Sequence, residues 1–217
     1  MNHQRLYEYR FRGIDQDTRT EVWKEIAPWV WANAMGRPDR VLDPAAGRGE
    51  FINAVPAPER WAVDLVDYEE GTFREGTHFL KSDIFEADLP EAHFGGIWVS
   101  NFLEHLLSQD ACADFLERMY AVTEPGGRIV VMGPNFRFTR KEYFDCADHT
   151  LVFTHTAIAE HLYAAGFEPE RIEPRFLPFS FRGKLPPRRD LTRRYLRTPA
   201  AWKLLGKQFL VVGRRAG

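Results

Sequence analysis

Two glycines with one residue between them, Gly47 and Gly49, follow a short apolar run that ends at Asp43. This order predicts a buried strand, a tight turn and a helix N-terminus, and small molecules bind at such turns. A dinucleotide site would need a third glycine where Ile52 stands, and the carboxylate of Asp43 would repel phosphate groups. The turn therefore favours a ligand that carries positive charge and no phosphate.

Two more acidic residues end the next apolar runs. Asp64 lies 21 residues beyond Asp43, a spacing at which a carboxylate can accept hydrogen bonds from both hydroxyls of a ribose. Asp83 ends the following run and suits an exocyclic adenine amine. S-adenosylmethionine (SAM) carries an ammonium, a sulfonium, a ribose and an adenine but no phosphate. The three acids in this order therefore predict a SAM site.

The chain resembles the class I SAM-dependent methyltransferases over about residues 38–168, with the motifs in family order. The resemblance implies that SAM is the cofactor, that S-adenosylhomocysteine is the product, and that the matching residues bind the cofactor. These residues are Asp43, Ala45, Gly47 and Gly49 of the glycine motif, Asp64 with its neighbour Leu65, Asp83 with its neighbour Ile84, and Asn101 after the fourth strand.

Aromatic and arginine residues alternate in the segment before the first strand. In similar methyltransferases this segment often folds over the cofactor, and an arginine there can pair with the methionine carboxylate. Arg10 and Arg12 are both candidates, with a plain surface position as the alternative for each. We assign Arg12 to the cofactor site.

Apolar runs alternate with helical patterns along the chain, which predicts a parallel sheet covered on both faces. The predicted strands are 40–43, 60–65, 77–82, 96–101, 127–132, 171–178 and 207–212, and the predicted helices cover 18–34, 108–122, 153–167 and residues from 190. With the resemblance, they imply a three-layer, Rossmann-like α/β methyltransferase fold whose seven-stranded, mostly parallel sheet has an antiparallel last strand. We expect one domain over 1–217, with an N-terminal helical cap at 1–38 and a basic insertion at 182–205.

A polar and aromatic loop, 133–150, follows the fifth predicted strand and should face the acceptor. A hydroxyl acceptor needs a base, and an imidazole is best suited near neutral pH. We assign His149 as the base, oriented by Asp148, with His105 as the second candidate. The aromatic residues expected to contact the acceptor are Phe138, Tyr143 and Phe144.

The stretch from Asn101 to His105 is similar to a metal-binding Glu-x-x-Glu-His pattern of some methyltransferases. Here Asn101 replaces the first glutamate, so one carboxylate is missing. We therefore assign no metal ligand. Mg²⁺ is kept as an alternative because it can bind through few protein oxygen ligands while it retains several water ligands.

Several segments resemble a bacterial subgroup of these enzymes associated with polysaccharide assembly: 148–150, 176–179, 195–199 and 205–212. This resemblance implies a sugar or oligosaccharide O-methyltransferase. One alternative is a phenolic, quinone-like or lipid acceptor. A nucleic-acid methyltransferase or a SAM-binding protein without turnover is a further alternative.

The composition limits the partners. The 217 residues carry a formal net charge of −2, which gives no reason to expect nucleic-acid binding. No run of eighteen apolar residues and no basic-then-apolar leader is present, so we expect a cytoplasmic protein without a membrane span. The arginines of 182–197 form a solvated face, an acceptor subsite or a subunit contact, and the oligomeric state is left open.

Overall fold

One seven-stranded sheet forms the centre of the protein in the computed structural model, which describes residues 3–10, 12–13, 15–179 and 188–217. The strand order is β3-β2-β1-β4-β5-β7-β6, with β7 antiparallel to both of its neighbours and every other pair parallel. The predicted sheet is thereby confirmed. The strands are β1 Arg40–Asp43, β2 Glu59–Asp64, β3 Thr77–Lys81, β4 Phe94–Ser100, β5 Thr123–Pro134, β6 Phe167–Glu173 and β7 Gln208–Arg215.

Helices cover both faces of this sheet. They are α1 His3–Arg10, α2 Gln16–Asn33, α3 Glu50–Ala54, α4 Gln109–Val122, α5 Phe136–Thr139, α6 His155–Ala164, α7 Arg189–Leu196 and α8 Pro199–Leu205, with 3₁₀ turns at Leu103–His105 and Arg140–Asp145. Within the described ranges, none of these helices has the length and apolar character needed to cross a membrane.

The core lies in two layers because successive side chains of a strand point to opposite faces. One layer joins alternate strand residues to α4 and α6, and its members include Leu42, Ile97, Val131, Phe115 and Leu162. The other joins the intervening strand residues to α2 and α3, and its members include Val41, Trp98, Val130, Val30 and Phe51. The period-two pattern of the strands thus produces the three-layer architecture.

The predicted elements agree with the observed ones except near the sheet edge. The predicted helix 18–34 is α2, which continues through Pro28. Thr154 caps α6 by accepting a hydrogen bond from the N–H of Ala157 at 3.3 Å. The predicted strand 171–178 was misplaced, because β6 starts at Phe167 directly after the left-handed Gly166 and ends at Glu173.

The basic insertion is described only from residue 188, so the arginine and proline residues at 182–187 lie outside the described residues. Helix α7 packs on α2, where Glu25 accepts hydrogen bonds from Arg189 at 2.7 Å and from Arg193 at 2.6 and 2.9 Å. The hydroxyl of Tyr195 donates to the Phe176 carbonyl at 2.5 Å. This part of the insertion is therefore fixed to the domain core.

Candidate functional site

The glycine turn depends on two left-handed residues at the carboxyl end of β1. Gly47 has φ 53° and Gly49 has φ 74°, a region that side chains disfavour. A Cβ at Gly49 would lie 2.9 Å from Nδ2 of Asn53 and 3.0 Å from the ring of Phe73. The N–H of Ala46 donates to the carbonyl of Val63 at 3.0 Å, which fixes the turn against β2. Only glycine fits at position 49 without rearrangement.

Asp64 bridges the glycine turn and the end of β2. Its carboxylate accepts hydrogen bonds from the N–H of Gly47 at 2.8 Å and from the N–H of Val66 at 2.9 Å. Burial raises the pKa of Asp64, although these backbone donors oppose the rise. The carboxylate is thus oriented by the backbone before any ligand binds.

Asp43 gives the turn its negative character. It is 4% exposed, and burial raises its pKa well above the ordinary value, with the nearby carboxylates of Asp64 and Glu50 adding to the effect. A buried anion without a cationic partner is costly, and an ammonium or sulfonium nearby would offset that cost. The acidic turn therefore fits the charge that SAM carries.

The other predicted cofactor residues lie at the carboxyl ends of the neighbouring strands. Leu65 is exposed directly after β2, Ile84 is buried just after β3, and Asp83 accepts a hydrogen bond from the N–H of Phe85 at 3.0 Å. Asn101 follows β4 with a left-handed φ of 49° and is exposed. The sheet brings all of them to one edge, and their contact with a cofactor stays a prediction.

The N-terminal arginines take different positions. Arg12 is exposed, with its guanidinium 5.3 Å from the centre of the Tyr9 ring, and its pairing with a cofactor carboxylate stays a prediction. Arg10, the other candidate, forms an ion pair with the carboxylate of Asp148. The helix α1 is thereby tied to the loop that follows β5.

Sequence reasoning missed Arg19, which lies beside the glycine turn. Its largely buried guanidinium pairs with Glu50, the first residue of α3, at 2.5 Å. A signal was present, because Arg19 shares the helical spacing of the buried residues Val22, Trp23 and Ile26 on α2. A charged residue on a buried helix face requires a partner, and Glu50 provides it.

The acceptor side is assembled by main-chain hydrogen bonds between the turn after β4 and the loop after β5. The carbonyl of Glu104 accepts from the N–H of Thr150 at 2.8 Å and from that of Leu151 at 3.2 Å. The rings of His105 and His149 consequently lie 5.0 Å apart, measured between their centroids. Two histidines that are 44 residues apart in sequence thus share one site.

The sequence predicted that Asp148 orients His149, but in the structure the Asp148 side chain pairs with other residues. Its buried side chain pairs with Arg10 and lies 3.4 Å from Nδ1 of His105, which is also 3.0 Å from the Asp148 carbonyl. Burial acts to raise the pKa of Asp148, but the bond from Arg10 and the charge of His105 outweigh it and lower the pKa. The side chain is therefore an anion that pairs with Arg10 and lies beside His105.

His149 packs its ring against Tyr143, with 4.8 Å between centroids. Its Nδ1 atom is buried and has no hydrogen-bond partner among the described residues. Burial, with a smaller contribution from the charge of His105, lowers the pKa of His149 to about 4. The imidazole is therefore neutral at physiological pH, with an open lone pair.

The three aromatic residues expected to contact an acceptor differ in exposure. Tyr143 is 0% exposed; its hydroxyl donates to the Leu151 carbonyl at 2.6 Å, and burial raises its pKa. The expectation for Tyr143 is therefore corrected, because a buried ring supports the loop and has no face open to an acceptor. Phe144 is 59% exposed, and Phe138 is half-buried with Arg175 4.8 Å from its ring centre.

Glu104, His105 and His149 each offer one potential metal-ligand atom, and the three atoms lie within 4.8 Å of one another. Sequence reasoning had considered Glu104 and His105 together with Asn101, and it assigned no ligand because Asn101 replaces a glutamate. His149 was missed as a member because it lies in a different loop. Its ring nitrogen supplies the third position.

Comparison with known proteins assigns the chain to a family. The model of the family described as "Methyltransferase domain" matches residues 8–172. A search of the curated proteins finds no match.

The solved structures that share the fold include the following three methyltransferases. A SAM-dependent methyltransferase from Archaeoglobus fulgidus is 20% identical with a TM-score of 0.68, covering 99% of this chain and 100% of that one. The 1,6-didemethyltoxoflavin-N1-methyltransferase of Burkholderia thailandensis is 22% identical with a TM-score of 0.60, covering 99% and 87%. The N-methyltransferase NodS of Bradyrhizobium japonicum, in complex with S-adenosylhomocysteine, is 14% identical with a TM-score of 0.65, covering 99% and 98%. The chain belongs to the methyltransferase-domain family and has the Rossmann-like fold of SAM-dependent methyltransferases.

Proposed function

We propose that the protein transfers the methyl group of SAM to a hydroxyl of a sugar or oligosaccharide, with His149 as the proton acceptor. The observation that carries the proposal is the buried Nδ1 of His149, which has no partner among the described residues. The loop that holds it follows β5, whose carboxyl end lies at the same edge of the sheet as the glycine turn. The imidazole in that position is unprotonated at neutral pH, as a general base must be, and its lowered pKa makes it a weaker base than an ordinary histidine.

The chemistry needs few protein groups. The acceptor oxygen attacks the methyl carbon in line, the bond from that carbon to sulfur breaks, and S-adenosylhomocysteine leaves as a neutral thioether. The hydroxyl proton passes to Nδ1 of His149, and solvent restores the neutral ring after product release. The protein contributes the position of the acceptor, the base and the exclusion of water.

Aromatic and cationic side chains beyond β5 support a sugar acceptor. Phe144 presents an open ring, and aromatic faces stack on the apolar faces of sugars. Arg175 is held over Phe138 while its Nε donates to the Gly206 carbonyl at 2.8 Å, so the guanidinium is oriented by its neighbours. A planar guanidinium fixed in this way can donate to hydroxyl groups.

An apolar acceptor, such as a phenol, a quinone-like ring or a lipid, is the second candidate. It is favoured by three exposed apolar side chains in or next to the turn after β4 and the loop after β5: Leu107, Phe144 and Val152. Two of the similar structures are named as N-methyltransferases, so a nitrogen acceptor belongs in the same comparison. A nitrogen nucleophile that is already neutral would need no base, and His149 would then be dispensable.

A screen with methyl-labelled SAM tests the proposal. Purified protein is incubated with mono- and oligosaccharides, phenols, quinols and heteroaromatic amines, and label in each product is measured. We expect label in a sugar, lost in His149→Ala but kept in the matched variant of an exposed histidine, His78→Ala. Label only in a phenol or an amine would refute the sugar acceptor, and a normal rate in His149→Ala would refute the base.

A further inference from the structure

One oxygen of a buried carboxyl group in the site lacks a hydrogen-bond partner among the described residues. Glu104 is 3% exposed, and its Oε1 atom has no hydrogen-bond partner in the described parts of the chain. The other carboxylate oxygen lies beside Gly133 of β5, where a Cβ would be in ordinary van der Waals contact with it at 3.6 Å. Burial disfavours the ionised form of a carboxyl group unless a hydrogen bond or a cation compensates it, so a bound cation would stabilise the carboxylate of Glu104.

Two imidazoles face the same space. The ligand atoms offered by Glu104, His105 and His149 lie within 4.8 Å of one another, and Nδ1 of His149 is also buried without a partner among the described residues. Metal–ligand bonds of about 2.0–2.2 Å place ligand atoms roughly 3–4 Å apart, so small side-chain rotations would close the set. The main-chain bonds from Thr150 and Leu151 to Glu104 hold the two loops at this distance.

We propose that Glu104, His105 and His149 bind a divalent first-row transition-metal ion through one carboxylate oxygen and two imidazole nitrogens. Two nitrogen ligands favour ions such as Mn²⁺, Fe²⁺, Co²⁺ or Zn²⁺ over Mg²⁺, which prefers oxygen. Asp148 supports the set as the outer partner of His105, because its carbonyl and carboxylate both lie near Nδ1 of that ring. Such outer partners fix the orientation of a ligating histidine, which would bind through Nε2.

The site stands on its own geometry, and only its role in catalysis rests on the proposed function. An ion here would supply a Lewis acid that lowers the pKa of a bound acceptor hydroxyl. His149 would then serve as a ligand instead of receiving the proton, and the proton would pass to solvent. Metal binding and sugar methylation can therefore succeed or fail separately.

Calorimetric titration of tag-free, chelator-treated and dialysed protein with Co²⁺ tests the site without an acceptor. We expect saturable binding of one ion per chain and visible d–d absorption bands from bound Co²⁺. Glu104→Gln and His149→Ala should each weaken binding at least 10-fold, and the exposed control Glu160→Gln should bind as the parent protein does. Far-ultraviolet circular dichroism verifies that each variant is folded.

Two results would overturn the site. One is the absence of saturable Co²⁺ binding to the parent protein at millimolar concentration. The other is binding that is unchanged in both folded ligand variants, since the ion would then lie elsewhere. If a variant does not fold, the remaining variant and the parent titration still decide. Sugar labelling in chelator, combined with no metal binding, would leave the proposed function intact and remove this inference.

Discussion

Asp64→Asn is the substitution that tests the cofactor site most directly. The carboxylate is held by the N–H groups of Gly47 and Val66 at 2.8 and 2.9 Å, so its position does not depend on a ligand. If the carboxylate accepts hydrogen bonds from the ribose hydroxyls of SAM, it is already oriented before SAM binds. Asparagine keeps the shape, removes the charge and leaves one acceptor oxygen where there were two.

The size of the effect follows from these contacts. A hydrogen bond to a charged group contributes about 1.5–3 kcal/mol, which corresponds to a roughly 10- to 150-fold weaker affinity for SAM. One backbone N–H, of Gly47 or Val66, also loses its acceptor, so thermal stability should fall modestly. The variant should remain folded because both backbone segments are anchored by neighbouring strands.

Calorimetric titration of SAM into the parent protein, Asp64→Asn and Asp67→Asn gives the answer. Asp67 lies three residues further on, is exposed, and pairs with Lys81 at 2.7 Å on the surface, so its substitution should leave the affinity unchanged. Equal affinities for all three proteins would refute the ribose assignment.

The pH dependence of SAM binding is a second test of the role of Asp64. Burial raises the pKa of Asp64, so its carboxylate takes up a proton at a higher pH than an ordinary aspartate does. Because the ionised form is the better acceptor, SAM affinity of the parent protein should weaken as the pH falls from neutrality. The affinity of Asp64→Asn should change less over the same range.

Three other outcomes are expected. His149→Ala should keep SAM affinity by calorimetry and lose turnover of the labelled acceptor. Gly49→Ala should lower the melting temperature more than Gly71→Ala, because both positions have positive φ but only a Cβ at 49 meets neighbouring atoms among the described residues. The bond from Arg193 to Glu25 lowers the pKa of that carboxyl from 4.5 to about 2, so its stabilisation is full above pH 4.5 and is lost as the pH falls to 2. Glu25→Gln should therefore cost about 1 kcal/mol in denaturant unfolding at pH 7 and almost nothing at pH 2.

The sheet could be predicted because buried parallel strands are short apolar runs, and the first three runs here are followed by an acidic residue at the carboxyl end. Asp43, Asp64 and Asp83 are such residues, and the strand order brings them to one edge. Strand β6 was harder to locate, because its side chains alternate between buried and exposed at the sheet edge. Its sequence, which contains Pro169 and Arg171, has no continuous apolar run.

For the acceptor side, the sequence predicted which loop takes part but not the contacts between its side chains. The loop after β5 was identified from its aromatic and charged residues, but the partner of Asp148 was not, because Arg10 lies 138 residues away in sequence. Local sequence suggested that Asp148 orients His149, whereas tertiary packing pairs the Asp148 carboxylate with Arg10 and places it beside His105. Tyr143 differs from Phe144 by one position, yet burial separates a supporting ring from an exposed one.

Several arginines of the basic insertion form ion pairs with carboxylates of the same protein. Arg189 and Arg193 both donate to Glu25, and Arg188 donates to Asp190 at 3.1 Å. An anionic acceptor that used Arg189 or Arg193 would have to displace a carboxylate already held by several charge-assisted bonds. These two arginines therefore favour a structural role in holding α7 on α2, and acceptor recognition through this segment would have to use other residues.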